Sequence, residues 1–83
     1  MKALLYPLAT EKALNVVDRE NIISYVVDIR SKKNEIKKEF EGTFNVKVEK
    51  VRTAISIRNV KRAYIKLNKD YKASDIARRL KLV

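Results

Sequence analysis

Apolar and polar residues alternate over long stretches of this chain, and a period of two is typical of β-strands. In Ile22–Arg30 the odd-numbered positions are all apolar, whereas the even-numbered positions are mixed. This pattern predicts a strand with one buried face and one half-open face. Val51–Ile57 and Ala63–Leu67 repeat the odd-numbered alternation, which predicts two further strands that bury Ile55 and Ile65 on the same side.

The alternation changes parity once, because Val46 and Val48 stand at even positions whereas Val51 stands at an odd one. Either a β-bulge at Glu49-Lys50 returns the apolar side chains to one face, or the strand enters a different sheet environment there. We favour the bulge. A tight turn is predicted at Asn59-Val60, since asparagine tolerates a positive φ.

Three segments combine a helix start signal with apolar residues at helical spacing. The predicted N-caps are Thr10, Ser31 and Ser74, whose side-chain oxygens can accept a free N–H of the first turn. The first helix is expected to end before a polar turn at Asp18–Asn21. The second is expected to reach Phe40 or Glu41 and to stop at Gly42. The residues expected to face the core are Ala13, Leu14, Val17, Ile36, Phe40, Ile76, Ala77 and Leu80.

The predicted order is helix, strand, helix, strand, strand, helix. This order favours an α+β fold, a two-layer α/β-plait-like sandwich in which helices lie mainly on one face of an antiparallel sheet of three to four strands. The pattern leaves open whether Ala3–Tyr6 adds an edge strand. A length of 83 residues predicts a single small domain over 1–83.

Net positive charge is confined to the later part of the chain. Met1–Ser31 carries four Lys or Arg and four Asp or Glu, whereas Lys32–Val83 carries 16 basic and six acidic residues. Such an excess repels itself unless an anion meets it, and the usual anions are nucleic acid and acidic membrane surfaces. If odd strand positions face the helices, the opposite sheet face carries Arg52, Arg58, Arg62, Tyr64 and Lys66.

Cations around small residues and one aromatic side chain are typical of a nucleic-acid surface, where the cations meet phosphates and Tyr64 stacks on a base or contacts a ribose. The alternative is a solvated sheet face on which Tyr64 only packs across strands. Lys32 and Lys33 begin the second helix, where its dipole disfavours a positive charge by roughly 0.3–1 kcal/mol each. A phosphate near this helix start would reverse that sign, and Lys37 follows one turn later; the alternative is tolerated surface lysines.

Catalytic chemistry has few residues to use in this sequence. The chain contains no histidine, cysteine or tryptophan and one glycine, so thiolate, imidazole and Gly-rich phosphate-loop chemistry are excluded. No apolar run reaches the ~18 residues that span a bilayer, and no signal-peptide pattern begins the sequence. We therefore expect a cytoplasmic protein that is not an enzyme and has no cofactor, metal, small-molecule substrate or membrane partner.

Several short motifs then occur in a specific order. They are Pro7-Leu8-Ala9-Thr10-Glu11-Lys12, Lys32-Lys33, Phe44-Asn45-Val46-Lys47-Val48, Val51-Arg52-Thr53 and Lys61-Arg62-Ala63-Tyr64-Ile65-Lys66-Leu67. In this order and spacing, from about Tyr6 to Leu67, the chain resembles the universal large-subunit ribosomal protein twenty-three family, found at the outer rim of the polypeptide exit tunnel. The resemblance implies an α/β plait that binds large-subunit rRNA beside other ribosomal proteins. It also implies a docking platform for nascent-chain factors such as the signal recognition particle.

The resemblance also assigns roles to particular residues. By the family's motifs, RNA contacts fall to Lys12, Lys32, Lys33, Arg52, Thr53, Lys61 and Arg62. The glutamate of the first motif, Glu11, belongs to the exposed factor-docking surface. The family commonly has asparagine where Arg52 stands, so an amide contact becomes a phosphate contact here.

A second departure from the family concerns the hairpin. The bacterial form has a long hairpin loop that reaches into the tunnel, whereas Ile57–Ala63 is short, which indicates the archaeal or eukaryotic form. Two other classes stay open at this point. One is a free-standing RNA-binding regulator or chaperone that uses the same sheet face. The other is a membrane-surface adaptor, which would need a wide apolar helix face exposed opposite lysines.

Overall fold

The computed structural model describes residues 3–82 and builds them into four strands and three helices. These are β1 (Leu4–Pro7), α1 (Glu11–Glu20), β2 (Ile22–Val27), α2 (Lys33–Phe44), β3 (Val48–Ile55), β4 (Lys61–Leu67) and α3 (Ala73–Arg79). The strands form one sheet in the order β1-β2-β4-β3, and every neighbouring pair is antiparallel. The predicted α+β fold with an antiparallel sheet is confirmed. The N-terminal segment does supply an edge strand, β1.

The core lies between α2, α3 and one face of the sheet, which we call the inner face. Ile23 of β2 and Ile65 of β4 are fully buried there and face each other across the two strands. The helices contribute Ile36, Phe40, Phe44, Ala73, Ile76 and Ala77. The ring of Phe40 meets that of Tyr25 edge to face at 6.3 Å, and burial raises the pKa of the Tyr25 phenol. The odd-numbered alternation therefore identified the buried face of β2 and β4 correctly.

Helix α1 occupies a different place from the other two helices. β1 pairs only with the second half of β2, Tyr25–Val27, and α1 packs against β2 and α3. From this position Val17 joins the core, while Ala13 and Val16 line a groove on the opposite sheet face. β2 is consequently buried along its whole length on both faces. The half-open even face expected for this strand is therefore wrong.

The start and end of α1 are both set by side chains. Thr10 is the N-cap, as predicted, and its Oγ1 accepts the N–H of Ala13 at 3.1 Å. The helix runs on to Glu20 and ends at Asn21, which adopts the left-handed conformation with φ 60°. The polar turn predicted at Asp18–Asn21 is therefore reduced to one residue, because asparagine reverses the chain alone.

Asn21 also joins α1 to the far end of the chain. Its Nδ2 donates to the carbonyl of Tyr71 at 2.8 Å, and its Oδ1 accepts the N–H of Ala73 at 2.7 Å. That second bond satisfies a free N–H at the start of α3 from a distance. Helix α3 therefore begins at Ala73 with Lys72 as its N-cap residue, and the prediction of Ser74 as N-cap is wrong.

The start of α2 also differs by one residue from the prediction. Ser31 is buried, and its hydroxyl donates to the carbonyl of Asp28 instead of capping the helix. Lys32 is the N-cap residue, and the Glu35 carboxylate accepts its N–H at 3.0 Å. Asp28 also accepts the N–H of Arg30 at 2.8 Å, so a turn ends β2 at Val27 and the predicted continuation to Arg30 is wrong.

Helix α2 continues past Gly42, where it was predicted to stop. Phe44 lies four residues after Phe40 and is buried. Its burial stabilises one further turn of the helix. Asn45 then ends the helix in the left-handed conformation with φ 59°. Arg79 of α3 donates to the freed carbonyl of Phe44 at 3.2 Å.

The predicted bulge in β3 is confirmed. Val48 pairs with Leu67 and Lys50 pairs with Lys66, so Glu49 is the extra residue between them. The following hairpin turns through 57–59, and Asn59 adopts a φ of 64°. The turn thus begins two residues before the predicted Asn59-Val60 and includes Asn59 as its last residue.

The inner face is not covered along the whole of β3. Val51 is buried, Thr53 is half-buried and Ile55 is 57% exposed. The helices therefore cover only the first half of this edge strand, and the predicted burial of Ile55 is wrong. Ile57 at the hairpin tip and Ile29 in the turn after β2 are likewise exposed.

Two isoleucines of the same parity provide a direct test of this arrangement. Ile65→Ala should lower the free energy of unfolding by about 2–5 kcal/mol, because it leaves a cavity in the core. Ile55→Ala should cost less than about 1 kcal/mol, because the side chain is mostly in water. Urea unfolding followed by circular dichroism measures both values. Equal losses of unfolding free energy would contradict the finding that the helices cover only the first half of β3.

The glycine inside α2 gives a second test. A Cβ built on Gly42 meets no atom within 4 Å, and the residue is exposed within a helix. Gly42→Ala should therefore raise the free energy of unfolding by about 0.5–1 kcal/mol, since alanine loses less backbone entropy in a helix. A destabilised variant in the same urea experiment would mean that the helix ends at Gly42.

Candidate nucleic-acid interface

The face of the sheet opposite the core carries a cluster of cations around one aromatic ring. The strand registers place Lys50 opposite Lys66, Arg52 opposite Tyr64, and Ala54 opposite Arg62. All four cations are exposed, and Tyr64 is half-buried. We call this set the basic sheet face: Lys50, Arg52, Arg62, Tyr64 and Lys66.

The cations of the basic sheet face form no ion pair within the described residues, although Glu20 lines a hollow together with Lys50, Arg52 and Lys66. Among residues 3–82 the structure contains one ion pair, between Arg30 and Asp28 at 3.4 Å, and it lies in the turn after β2. Lys50 and Lys66 stand directly opposite each other, an arrangement of like charges that destabilises a sheet. The chain therefore holds these charges against its own stability and leaves them open to a partner.

The Asp28 carboxylate has a local structural role. The backbone N–H of Arg30, then its guanidinium group, lower the pKa of Asp28, and Lys61 contributes to the same direction. This residue belongs to the turn that precedes α2 and not to the basic sheet face.

A groove lies between α1 and the basic sheet face. Its volume is about 270 Å³. The α1 side includes Lys12, Ala13 and Val16, and the sheet side includes Ser24, Arg52, Arg62 and Tyr64. We call it the α1 groove. Lys12, predicted from its motif alone, thus lies on the same side of the molecule as the predicted arginines.

Arg58 extends this surface towards the hairpin. It is exposed in the three-residue turn after β3, and it shares a hollow with Arg62, Tyr6 and Val26. The sequence-predicted residues Arg52, Arg58, Arg62, Tyr64, Lys66 and Lys12 are therefore brought together on one side.

A second group of predicted residues lies at the start of α2. Lys32 and Lys33 are the N-cap and first residue of this helix, and Lys37 follows four residues after Lys33, so the last two share a helix face. Lys61 belongs with this group, because its ammonium donates to the carbonyl of Ser31. The four lysines form a separate cluster, which we call the α2-start lysines.

Thr53 is not part of either group. It stands opposite Ala63 and shares the inner face with it, so Arg52 and Thr53 point to opposite sides of the sheet. The predicted role of Thr53 in RNA binding stays a prediction, but this residue does not lie on the basic sheet face.

One cation of the basic sheet face was not assigned from the sequence. Lys50 alternates with valines on both sides, and its orientation depends on the bulge at Glu49. Lys50 stands two residues before Arg52 and after the extra residue Glu49, so the period of two places both on one face once the bulge is assigned to Glu49. Without that step, Lys50 is indistinguishable from Lys47.

Glu11 and Lys12 are adjacent in α1, yet they face different surroundings. Both are exposed. Lys12 lines the α1 groove, whereas Glu11 is not among its lining residues. Successive helix residues point about 100° apart, so the Glu11 carboxylate and the Lys12 ammonium lie on different surfaces of the protein.

Two further observations bear on other classes of protein. Across residues 3–82, no helix combines the length and apolar character needed to cross a bilayer. In the same range, no group of three or more acidic side chains is arranged to hold a metal ion.

The fold and its charges define a class, a small basic α+β protein that turns one face of an antiparallel sheet towards a polyanion. The family model described as ribosomal protein L23 matches residues 2–74, and the chain belongs to that family. It is accordingly a structural, non-enzymatic protein of the large ribosomal subunit. It binds rRNA, has rRNA and other ribosomal proteins as partners, and serves translation on the ribosome in the cytoplasm.

Proposed function

We propose that residues 1–83 act as one rRNA-binding domain at the rim of the polypeptide exit tunnel. In this proposal the basic sheet face binds rRNA. The observation that carries it is the set of exposed cations without ion-pair partners in residues 3–82, including Lys50 directly opposite Lys66. RNA phosphates can pair with these cations, which form no ion pair within the described residues.

Arginine and lysine would divide the contacts on this face. The guanidinium groups of Arg52 and Arg62 can each bind a phosphate through two N–H groups, which fixes orientation as well as charge. Lys66 adds a point charge beside them. Lys12 approaches the same side from α1, and Arg58 does so from the hairpin.

The α2-start lysines supply a second RNA contact. Lys32 and Lys33 occupy the helix end where the dipole is positive. One carboxylate, Glu35, stands in the same turn against these two lysines, so a phosphate would offset the remaining unfavourable charge. A phosphate placed there would also meet the free N–H groups of the first turn. Two separated contacts would hold the domain in one orientation on the rRNA.

The length of the hairpin loop supports the archaeal or eukaryotic form within the family. The turn between β3 and β4 spans only 57–59. A loop of this length does not project far from the sheet, so the domain sits at the tunnel rim and does not line the tunnel.

The N-terminal third supplies the surface that meets incoming factors. Glu11 is exposed at the start of α1 and lies outside the α1 groove. A carboxylate there can meet a basic surface on a factor such as the signal recognition particle. Lys12, which lines the α1 groove, points about 100° away around the same helix.

RNA binding through the basic sheet face can be measured by salt dependence. The logarithm of affinity for large-subunit rRNA should fall linearly with the logarithm of salt concentration. Arg62→Ala should weaken binding and reduce the slope by about 0.7–1, because one phosphate contact is lost. The melting temperature should stay the same, since Arg62 is exposed. Filter binding over a salt series provides the measurement.

Lys69→Ala is the matched control for that experiment. Lys69 is exposed in the turn after β4. Its replacement by alanine removes one positive charge, as Arg62→Ala does, but at a position away from the basic sheet face. Equal salt-dependence slopes for the two variants would mean that binding depends only on net charge, and would refute the basic sheet face as the RNA-binding surface. Wild-type protein should also sediment with large subunits at one copy each in moderate salt; substoichiometric binding would indicate a free-standing regulator instead.

Neighbouring charge reversals in α1 test the docking surface. Glu11→Lys should enter large subunits normally but slow the association of the signal recognition particle and weaken its salt dependence. Lys12→Glu should instead reduce incorporation, because it places a carboxylate in the α1 groove beside the arginines. Subunit incorporation and factor association rates are the two readouts. Equal loss of incorporation in both variants would contradict a docking role for Glu11.

A further inference from the structure

The α1 groove contains a polar atom that the fold does not satisfy. Ser24 is 3% exposed, and its hydroxyl is buried without a hydrogen-bond partner in the part of the chain that the structure describes. Buried hydroxyls are normally paired, and an unpaired one costs stability. A valine or alanine would fill an ordinary position of this kind in β2. The hydroxyl therefore marks a place where a ligand can bind.

Tyr64 stands directly opposite Ser24 on the neighbouring strand. Ser24 pairs with Tyr64 across β2 and β4. Since Asn21 accepts the N–H of Leu67 at 3.1 Å, the ladder alternation makes Ser24 and Tyr64 a closely spaced, non-hydrogen-bonded pair, with side chains near each other. The phenol ring and the hydroxyl thus lie together in the floor of the groove. Because the hydroxyl is sealed from solvent, a ligand reaches it only where a neighbouring side chain such as Tyr64 turns aside.

The walls of the groove combine apolar and cationic side chains with one acidic side chain, Glu20. Ala13 and Val16 form the apolar side on α1, while Arg52 and Arg62 flank Tyr64 on the sheet side. The volume of about 270 Å³ is slightly below the range of about 300–1,000 Å³ typical of small-ligand sites. This space suits one flat ring system with its charged end outside the groove.

We propose that the α1 groove binds a single unstacked base of the rRNA. The base stacks on Tyr64, the Ser24 hydroxyl bonds to its edge, and the flanking phosphates lie on Arg52 and Arg62. This inference rests on the proposed rRNA-binding function and deepens it, because it adds a base contact to a surface otherwise explained by phosphates. A bare phosphate would leave the apolar wall and the aromatic ring without a role.

The hydroxyl and the aromatic ring also determine how the groove recognises a nucleotide. A hydroxyl both donates and accepts, so it pairs with an amino group or with a carbonyl oxygen of a base. Stacking on an aromatic ring accepts every base. The groove therefore selects a nucleotide that the RNA fold has already released from its helix, and it reads that shape more strongly than the identity of the base.

Substitutions in the floor of the groove separate this role from a structural one. Ser24→Ala should leave the melting temperature of the free protein unchanged or raised, because it deletes an unpaired buried hydroxyl. The same variant should lower affinity for deproteinised large-subunit rRNA by about 3–10-fold. Tyr64→Leu should lower it by about 10–100-fold, whereas the matched Tyr64→Phe should bind like wild type.

The nucleotide itself is identified by base-specific chemical probing of the same rRNA with and without protein. Wild type should protect one unpaired base that stays reactive with Tyr64→Leu, while the backbone protections from the arginines persist. An abasic site at that nucleotide should weaken binding of the wild type, and Ser24→Ala should add nothing to that loss, since the abasic site already removes the contact of the hydroxyl with the base.

The outcomes distinguish the two levels of the proposal. If wild type protects rRNA and depends on Arg62, but Ser24→Ala and Tyr64→Leu bind normally, the base site is wrong and the basic sheet face stands. If the abasic site and Ser24→Ala act additively, the hydroxyl does not contact the base and the inference also fails. If wild type shows no salt-dependent binding to the rRNA at all, the proposed function fails first.

Discussion

Asn21 is the residue on which the arrangement of this domain depends. It ends α1 in the left-handed conformation, and its side-chain amide bonds to backbone groups of Tyr71 and Ala73. One residue therefore sets the direction in which β2 leaves α1 and the place where α3 begins. Only with α1 held in this position does a groove exist between that helix and the basic sheet face. The fold and the candidate site therefore both depend on the hydrogen bonds made by Asn21.

The fold was largely readable from the sequence where a signal is local. Alternating apolar residues identified the buried face of β2 and β4, Thr10 identified the start of α1, and the parity change before Val51 identified the bulge. The errors lie where distant groups decide. Asn21, and not Ser74, caps the start of α3, because its side chain bonds to Ala73, 52 residues away in the sequence. Helix α2 continues past Gly42 because Phe44 packs in the core.

The candidate site was predictable in part for the same reason. Strand parity placed Arg52, Arg62 and Lys66 on one face correctly, because it is a local property. Parity also explains why Thr53 does not join them. The α1 groove was beyond such reasoning, since it depends on a helix that packs beside a short edge strand. The unpaired hydroxyl of Ser24 is visible only after that packing is known.

The strand order has a consequence for how the domain forms. β3 and β4 are joined by a three-residue turn, whereas Ser24 and Tyr64 of the central pair lie 40 residues apart. Closing a long loop costs more chain entropy than closing a hairpin, so local pairs form early and distant ones late. On this ground we expect the hairpin that carries Arg52 and Arg62 to form before the N-terminal third docks. A chain of this topology can meet its RNA with a finished cationic hairpin and complete its remaining fold, α1 included, against that template.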